Sequence, residues 1–122
     1  MNTICYLAYI EARQLFTERR LAAAEVLVEV PPDPVTALIT KSGEDPTSID
    51  EARQRRYSDE VAQEAVLEYA RTEIPVTSTD CYDFRIDPVS NPQLITSRVA
   101  PTSVAAGCKL WLLKKHEFPE KA

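Results

Sequence analysis

The chain has 122 residues, 44% of them hydrophobic and 27% charged, with a net charge of −5 and a pI of about 4.9. That size and composition fit one folded domain, 1–122, and argue against a disordered chain. The acidic balance excludes a general nucleic-acid binder, which needs surplus Lys and Arg to displace counterions from phosphate.

The first segment, MNTICYLAYIEAR, has neither a positively charged start nor a small-residue cleavage site, so it is not read as a secretion signal. No apolar run approaches the ~20 residues that span a bilayer as a helix. Leu15, Phe16, Ala22, Ala23, Val26, Leu27 and Val30 recur at helical spacing, and LAAAEVL favours helix. This pattern predicts a helix over 12–30, ended by Pro31-Pro32. TICYLAYI fits either an extension of that stripe, through Ile4 and Ala8, or a strand rich in β-branched and aromatic residues. The expectation adopted is helix over about 3–30.

DPVTALITKSG carries helix punctuation at both ends: Asp33 as a cap, Pro34 at the first helical position and Gly43 at the stop. A short helix over about 34–42 follows. Ile49, Ala52, Val61, Ala62, Ala65, Val66, Tyr69 and Ala70 then form an apolar stripe that predicts helix over about 48–73. Ser58 suits the cap of a fresh helix, so a break near Tyr57 stays open. Pro75 ends the helical region.

Beyond Pro75 the texture changes. CYDFRID alternates, with Tyr82, Phe84 and Ile86 on one face and Cys81, Asp83, Arg85 and Asp87 on the other, so 81–87 is read as a half-buried strand. QLITSRV (93–99) is read as its returning strand. Val104, Cys108, Trp111 and Leu112 also fit a helix stripe. However, Gly107 costs a helix about 1 kcal/mol relative to alanine, which favours a third strand over 108–117. The expected fold class is therefore α+β: N-terminal helices packed on a small C-terminal antiparallel sheet.

Few residue constellations support chemistry. The two glycines, Gly43 and Gly107, are too few for a phosphate-cradling loop, so the P-loop and the dinucleotide fingerprint are absent. On a strand, Asp83 and Asp87 stand about 13 Å apart with Arg85 between them, which suits a solvated face and not a shared metal. His116 is the only histidine. Cys108, eight residues before it, lies about 26 Å away on a strand or 12 Å on a helix, beyond hydrogen-bond reach. Cys81 or Cys5 could meet it only across elements. Cys5, Cys81, Cys108 and His116 hold the atoms of a zinc site but lack its closely spaced ligand pairs. Three cysteines without a CxxC pair read as reduced thiols in a cytoplasm. The arginines of ARQRRY fall into surface pairs, Glu51 with Arg55 and Arg56 with Glu60. No catalytic residue, metal site or cofactor is expected.

The acidity is concentrated. Residues 44–73 hold nine acids and four bases, whereas the flanking segments are close to balanced. Glu60, Glu64 and Glu68, with Asp59 beside them, make an acidic ridge at i, i+4, i+8 spacing, opposed at its ends by Arg56 and Arg71. A ridge like this is commonly just a solvated face. As a functional expectation, these four residues dock a basic surface of another protein. The chain then reads as a small non-enzymatic binding factor. It would be an inhibitor or antagonist of the immunity or phage-encoded type, covering a nucleic-acid-binding surface of a larger complex without touching nucleic acid or membrane. Two other readings stay open. One is an assembly subunit that forms a homo-oligomer through its apolar stripes and Trp111. The other is a small enzyme using scattered carboxylates or Cys81.

Overall fold

The computed structural model describes residues 2–17, 19–74, 80–90 and 98–118. Five strands and two helices follow one another as β1 (Ile4–Gln14), β2 (Arg20–Val30), α1 (Pro32–Lys41), α2 (Glu51–Glu73), β3 (Asp80–Pro88), β4 (Ser103–Ala105) and β5 (Cys108–Glu117). The strands form one antiparallel sheet in the order β3-β1-β2-β5-β4.

This overturns the expected arrangement of N-terminal helices on a small C-terminal sheet. The sheet dominates, its two central strands are the N-terminal ones, and the helices lie mid-chain. The segment expected as helix over 3–30 is a hairpin in which Ile4 pairs with Val30 and Ile10 with Ala24. The reason lies in where these strands sit. Ala24, Val26, Val28 and Val30 face the helices, while Ala23 and Leu27 are buried on the other face, Leu27 opposite Trp111. A strand covered on both sides carries a near-continuous apolar run, and the period-2 signal disappears. Alanine favours a helix in isolation, but here it keeps the sheet surface low enough for α2 to pack closely. Ala8, Ala12 and Ala24 from the sheet share the core with Ala62, Ala65 and Val66 of α2.

Of the three expected strands, those over 81–87 and 108–117 are β3 and β5, where alternation and Gly107 placed them. On β3, Tyr82, Phe84 and Ile86 pack against the core and Asp83, Arg85 and Asp87 are exposed. The expected strand over 93–99 falls mostly outside the described residues; Arg98 and Val99, its last two positions, lie in a turn and a bend. Ala106 and Gly107 form the turn between β4 and β5, both at positive φ, +49° and +78°.

Pro32 opens α1 and Pro34 stays in its first turn, where backbone N–H groups have no helical partner and proline is tolerated. The helix thus starts before Asp33, which sits in the first turn and does not cap. Gly43, at φ +85°, follows the end, donating its N–H to Thr40 O at 3.0 Å. α2 is a single 23-residue helix without a break at Tyr57. It is capped by Asp50, whose side chain accepts from the Arg53 N–H at 2.8 Å. Ser58 is buried against β1 and caps nothing.

Candidate functional site

Three surfaces gather the groups that sequence pointed to: a groove between the helices, the sheet face opposite them, and the N-terminal end of α2.

The groove forms because α1 and α2 turn different faces inward. Val35 and Ile39, four residues apart, anchor α1 to the core, which leaves Ala37 and Leu38 on its flank. Val61 of α2 and Ala106 of the β4–β5 turn complete an apolar floor with Pro34. The volume is about 430 Å³. Lys41, Glu60 and Glu64 stand at its rim, all exposed. Pro34 packs on Gly107, its Cβ 3.5 Å from where a side-chain Cβ of residue 107 would stand. That spacing is an ordinary contact, so it is the positive φ that favours glycine there.

The acidic ridge divides along this geometry. Glu60 and Glu64 flank the groove, and Glu64 also pairs loosely with Arg71 at 3.7 Å, both side chains well exposed. Glu68 lies further along, beside Tyr69, Thr72 and the β4 residues Val104 and Ala105, in a separate small recess. Asp59 points elsewhere. Its Oδ1 is 2.6 Å from the buried Tyr6 hydroxyl, which also lies 2.9 Å from Ser58 Oγ. Tyr6 has one proton, so it donates to the carboxylate and accepts from Ser58. Burial and the hydrogen bond to Asp59 push the Tyr6 pKa well above the usual tyrosine range. Asp59 is thereby held against β1, half-buried.

The opposite sheet face carries a charged network. Glu11 is 4% exposed yet sits between two arginines. Arg20 donates to its Oε1 and Arg13 lies 3.4 Å from its Oε2. The hydrogen bond from Arg20 to Glu11 raises the guanidinium pKa further. Arg20 also reaches the Tyr9 hydroxyl at 3.1 Å and lies 4.0 Å over the Phe118 ring. Arg13 Nε stands 3.4 Å from Asp83 Oδ2 without hydrogen-bond geometry, so that contact is a through-space attraction only. Asp83 thus finds its partner on the neighbouring strand, not in Arg85. His116 lies 3.2 Å from Glu25 and stacks on Phe118. Carboxylates neutralised by paired arginines are poorly suited to acid–base work.

Cys–His chemistry is ruled out by register. Asp83, Glu11, Ala23 and His116 lie in one row across four strands, and Cys81 is two residues from Asp83. Three strand spacings separate Cys81 from His116 by at least about 14 Å. Cys5, Cys81 and Cys108 are free thiols, and Cys108 is buried. Among the described residues no group of three or more His, Cys, Asp or Glu is placed to hold a metal ion. No helix is long and apolar enough to cross a membrane.

At the start of α2, Arg53 pairs with Glu44 at 2.8 Å, and Glu44 also accepts from the Tyr57 hydroxyl. Those bonds, that of Tyr57 first, lower the Glu44 pKa. The expected Glu51–Arg55 and Arg56–Glu60 pairs are not formed among the described residues. Arg55 instead lines a concavity of about 210 Å³ with Asn2, Gln54 and Ser58. Trp111, expected as a contact residue, is 2% exposed and donates its indole N–H to Val99 O at 2.8 Å. It is a core residue.

Comparison with protein-family models, with curated proteins and with solved structures found no match.

Two surface features escaped sequence reading. Ala37 and Leu38 look like ordinary helix residues until α1 is oriented. Leu15 and Phe16, assigned to a buried stripe, are 46% and 91% exposed at the β1–β2 tip.

Proposed function

We propose that this chain is a non-catalytic protein-binding factor whose α1–α2 groove takes a basic, apolar-anchored segment of another protein. The observation that carries this reading is the apolar floor of Pro34, Ala37, Leu38, Val61 and Ala106 with Glu60 and Glu64 at its edge. An apolar groove between two helices suits an apolar anchor, and carboxylates at the rim select basic flanks and speed encounter. Glu68 extends the same acidic side toward β4. Asp59 contributes charge at a distance and no contact, since Tyr6 holds it. In its narrowest form the partner surface is one that binds nucleic acid, and the chain acts as its inhibitor.

The test uses a synthetic peptide with Phe and Leu anchors flanked by Lys and Arg. Backbone amide shifts are followed by NMR as it is added. The expected result is a set of saturable shifts at Ala37, Leu38, Val61 and Glu64. They should vanish in the triple variant Glu60→Lys, Glu64→Lys, Glu68→Lys. Shifts confined to the open sheet face, or binding unchanged by the triple variant, would sink the proposal.

A further inference from the structure

Away from the groove, the outer edge of the sheet carries a second binding surface. We propose that β3 of one copy pairs antiparallel with β3 of a second copy, across a two-fold axis at Phe84, so that the two sheets become one. This inference is independent of the groove reading.

β3 ends the strand order and is the edge on its side of the sheet. One bond gives the direction of its unpaired backbone groups. Val89 donates its N–H to Cys5 O at 2.9 Å, so the odd-numbered residues of β3 turn their backbone toward β1. Tyr82, Phe84 and Ile86 therefore aim N–H and C=O outward. Pro88 falls in the same outward phase but has no N–H, which closes the edge beyond Ile86. The stretch open to another strand is 82–86. Its apolar side chains pack on the core and are still only half-buried, so a strand laid beside them would cover more of each.

The charges select the partner and the register. On the face away from the helices, Asp83 and Arg85 flank Phe84. Arg85 is exposed and takes no part in the ion pairs among the described residues. Asp83 lies 3.4 Å from Arg13 Nε but keeps 67% of its side chain exposed. With Phe84 opposite Phe84, Asp83 of each copy stands opposite Arg85 of the other. These are non-hydrogen-bonded pairs, in which side chains approach most closely. Tyr82 then faces Ile86, and every outward N–H and C=O of 82, 84 and 86 finds a partner.

Other registers lose one of these terms. An axis at Asp83 or at Arg85 sets like charges opposite each other. An axis at Tyr82 sets Asp83 opposite Cys81 and loses both charge pairs. An axis at Ile86 sets Phe84 opposite Pro88, which cannot donate. A strand that complements itself about one residue fits a second copy of the same chain, in a closed, isologous dimer.

Charge variants test both the partner and the register. Asp83→Arg leaves only arginines at the two positions, and Arg85→Asp leaves only aspartates. Both positions are exposed, and circular dichroism checks that each variant is folded. By sedimentation velocity the wild-type chain should pass from one copy to two as concentration rises, and go no further. Each variant alone should dimerise at least about tenfold more weakly, because like charges then face each other. An equimolar mixture should recover the wild-type affinity as a dimer of one copy each, with arginines facing aspartates. In the wild-type dimer, hydrogen exchange should slow at the Phe84 and Ile86 amides and stay unchanged at Asp83 and Arg85, already bonded to β1. A mixture that stays monomeric, variants that dimerise like the wild type, or growth beyond two copies overturns the inference. So does a wild-type chain that is monomeric at millimolar concentration, or a dimer whose Phe84 and Ile86 amides exchange as in the monomer.

Discussion

Tyr6 shows how one buried hydroxyl decides the use of its neighbours. Its bonds to Asp59 and Ser58 cross from β1 to α2 and remove Asp59 from the acidic surface. Tyr6→Phe should lower stability by about 1–3 kcal/mol in urea denaturation, since the ring still packs but Asp59 and Ser58 lose a partner. At alkaline pH the buried thiol and phenols act together. Burial raises the pKa of Cys108 to about 11, and burial first of all raises Tyr6, Tyr69 and Tyr82. A raised folded value means that stability is intact below the unfolded pKa and is lost as pH rises toward the folded one. The unfolding free energy should therefore begin to fall near pH ~8.5, where an unfolded thiol ionises, and fall faster above ~10, where unfolded tyrosines do. Cys108→Ala should lessen the first part of that decline, the rest coming from Cys5, whose thiol is raised by burial and by Glu29, while leaving the second. An unchanged slope between pH 8.5 and 10 in the variant would contradict this account.

At the scale of elements, the β4–β5 turn carries visible strain. A two-residue turn with positive φ at both positions favours Asn-Gly, but here Ala106 occupies the first. Left-handed alanine costs about 1–2 kcal/mol, so Ala106→Asn should raise the melting temperature by a few degrees. Because Ala106 lines the groove, the same variant should also alter peptide binding, which separates the two effects. In the central strands, Ile10 is fully buried between Ala24 and Phe84. Ile10→Ala should destabilise by about 2–5 kcal/mol in urea denaturation. Removing the α2 cap with Asp50→Ala should cost about 1 kcal/mol.

For the whole molecule, the charge that bears on binding is the exposed acidic rim of the groove, Glu60 and Glu64. Exposed charges are screened over about 8–10 Å at physiological salt. Peptide binding at the groove should weaken as salt rises from 50 to 500 mM, measured by fluorescence anisotropy. The contribution of the peptide's Phe and Leu anchors should persist, because apolar burial is not screened. An association insensitive to salt would remove the acidic rim from the mechanism. The exposed Glu64–Arg71 pair should matter little to folding, and Glu64→Gln should leave stability within about 0.5 kcal/mol.

The sequence by itself determined the helices around 32–41 and 51–73, the strand through Tyr82, Phe84 and Ile86, and the acidic ridge of Glu60, Glu64 and Glu68. Each follows from local signals: prolines and Gly43 as punctuation, 3.6-residue or two-residue periodicity, and charge spacing along one helix. Tertiary structure alone decided the rest. LAAAEVLVEV became a strand because it is covered on both faces, a condition set by residues far away in sequence such as Trp111. Asp59 left the ridge because Tyr6, more than fifty positions earlier, lies beneath it. The groove exists only where α1, α2 and the β4–β5 turn meet, so its floor had no local signature. Phe16 fitted a buried stripe by spacing, yet the hairpin carries it to the tip, past the last residue that any neighbour could cover.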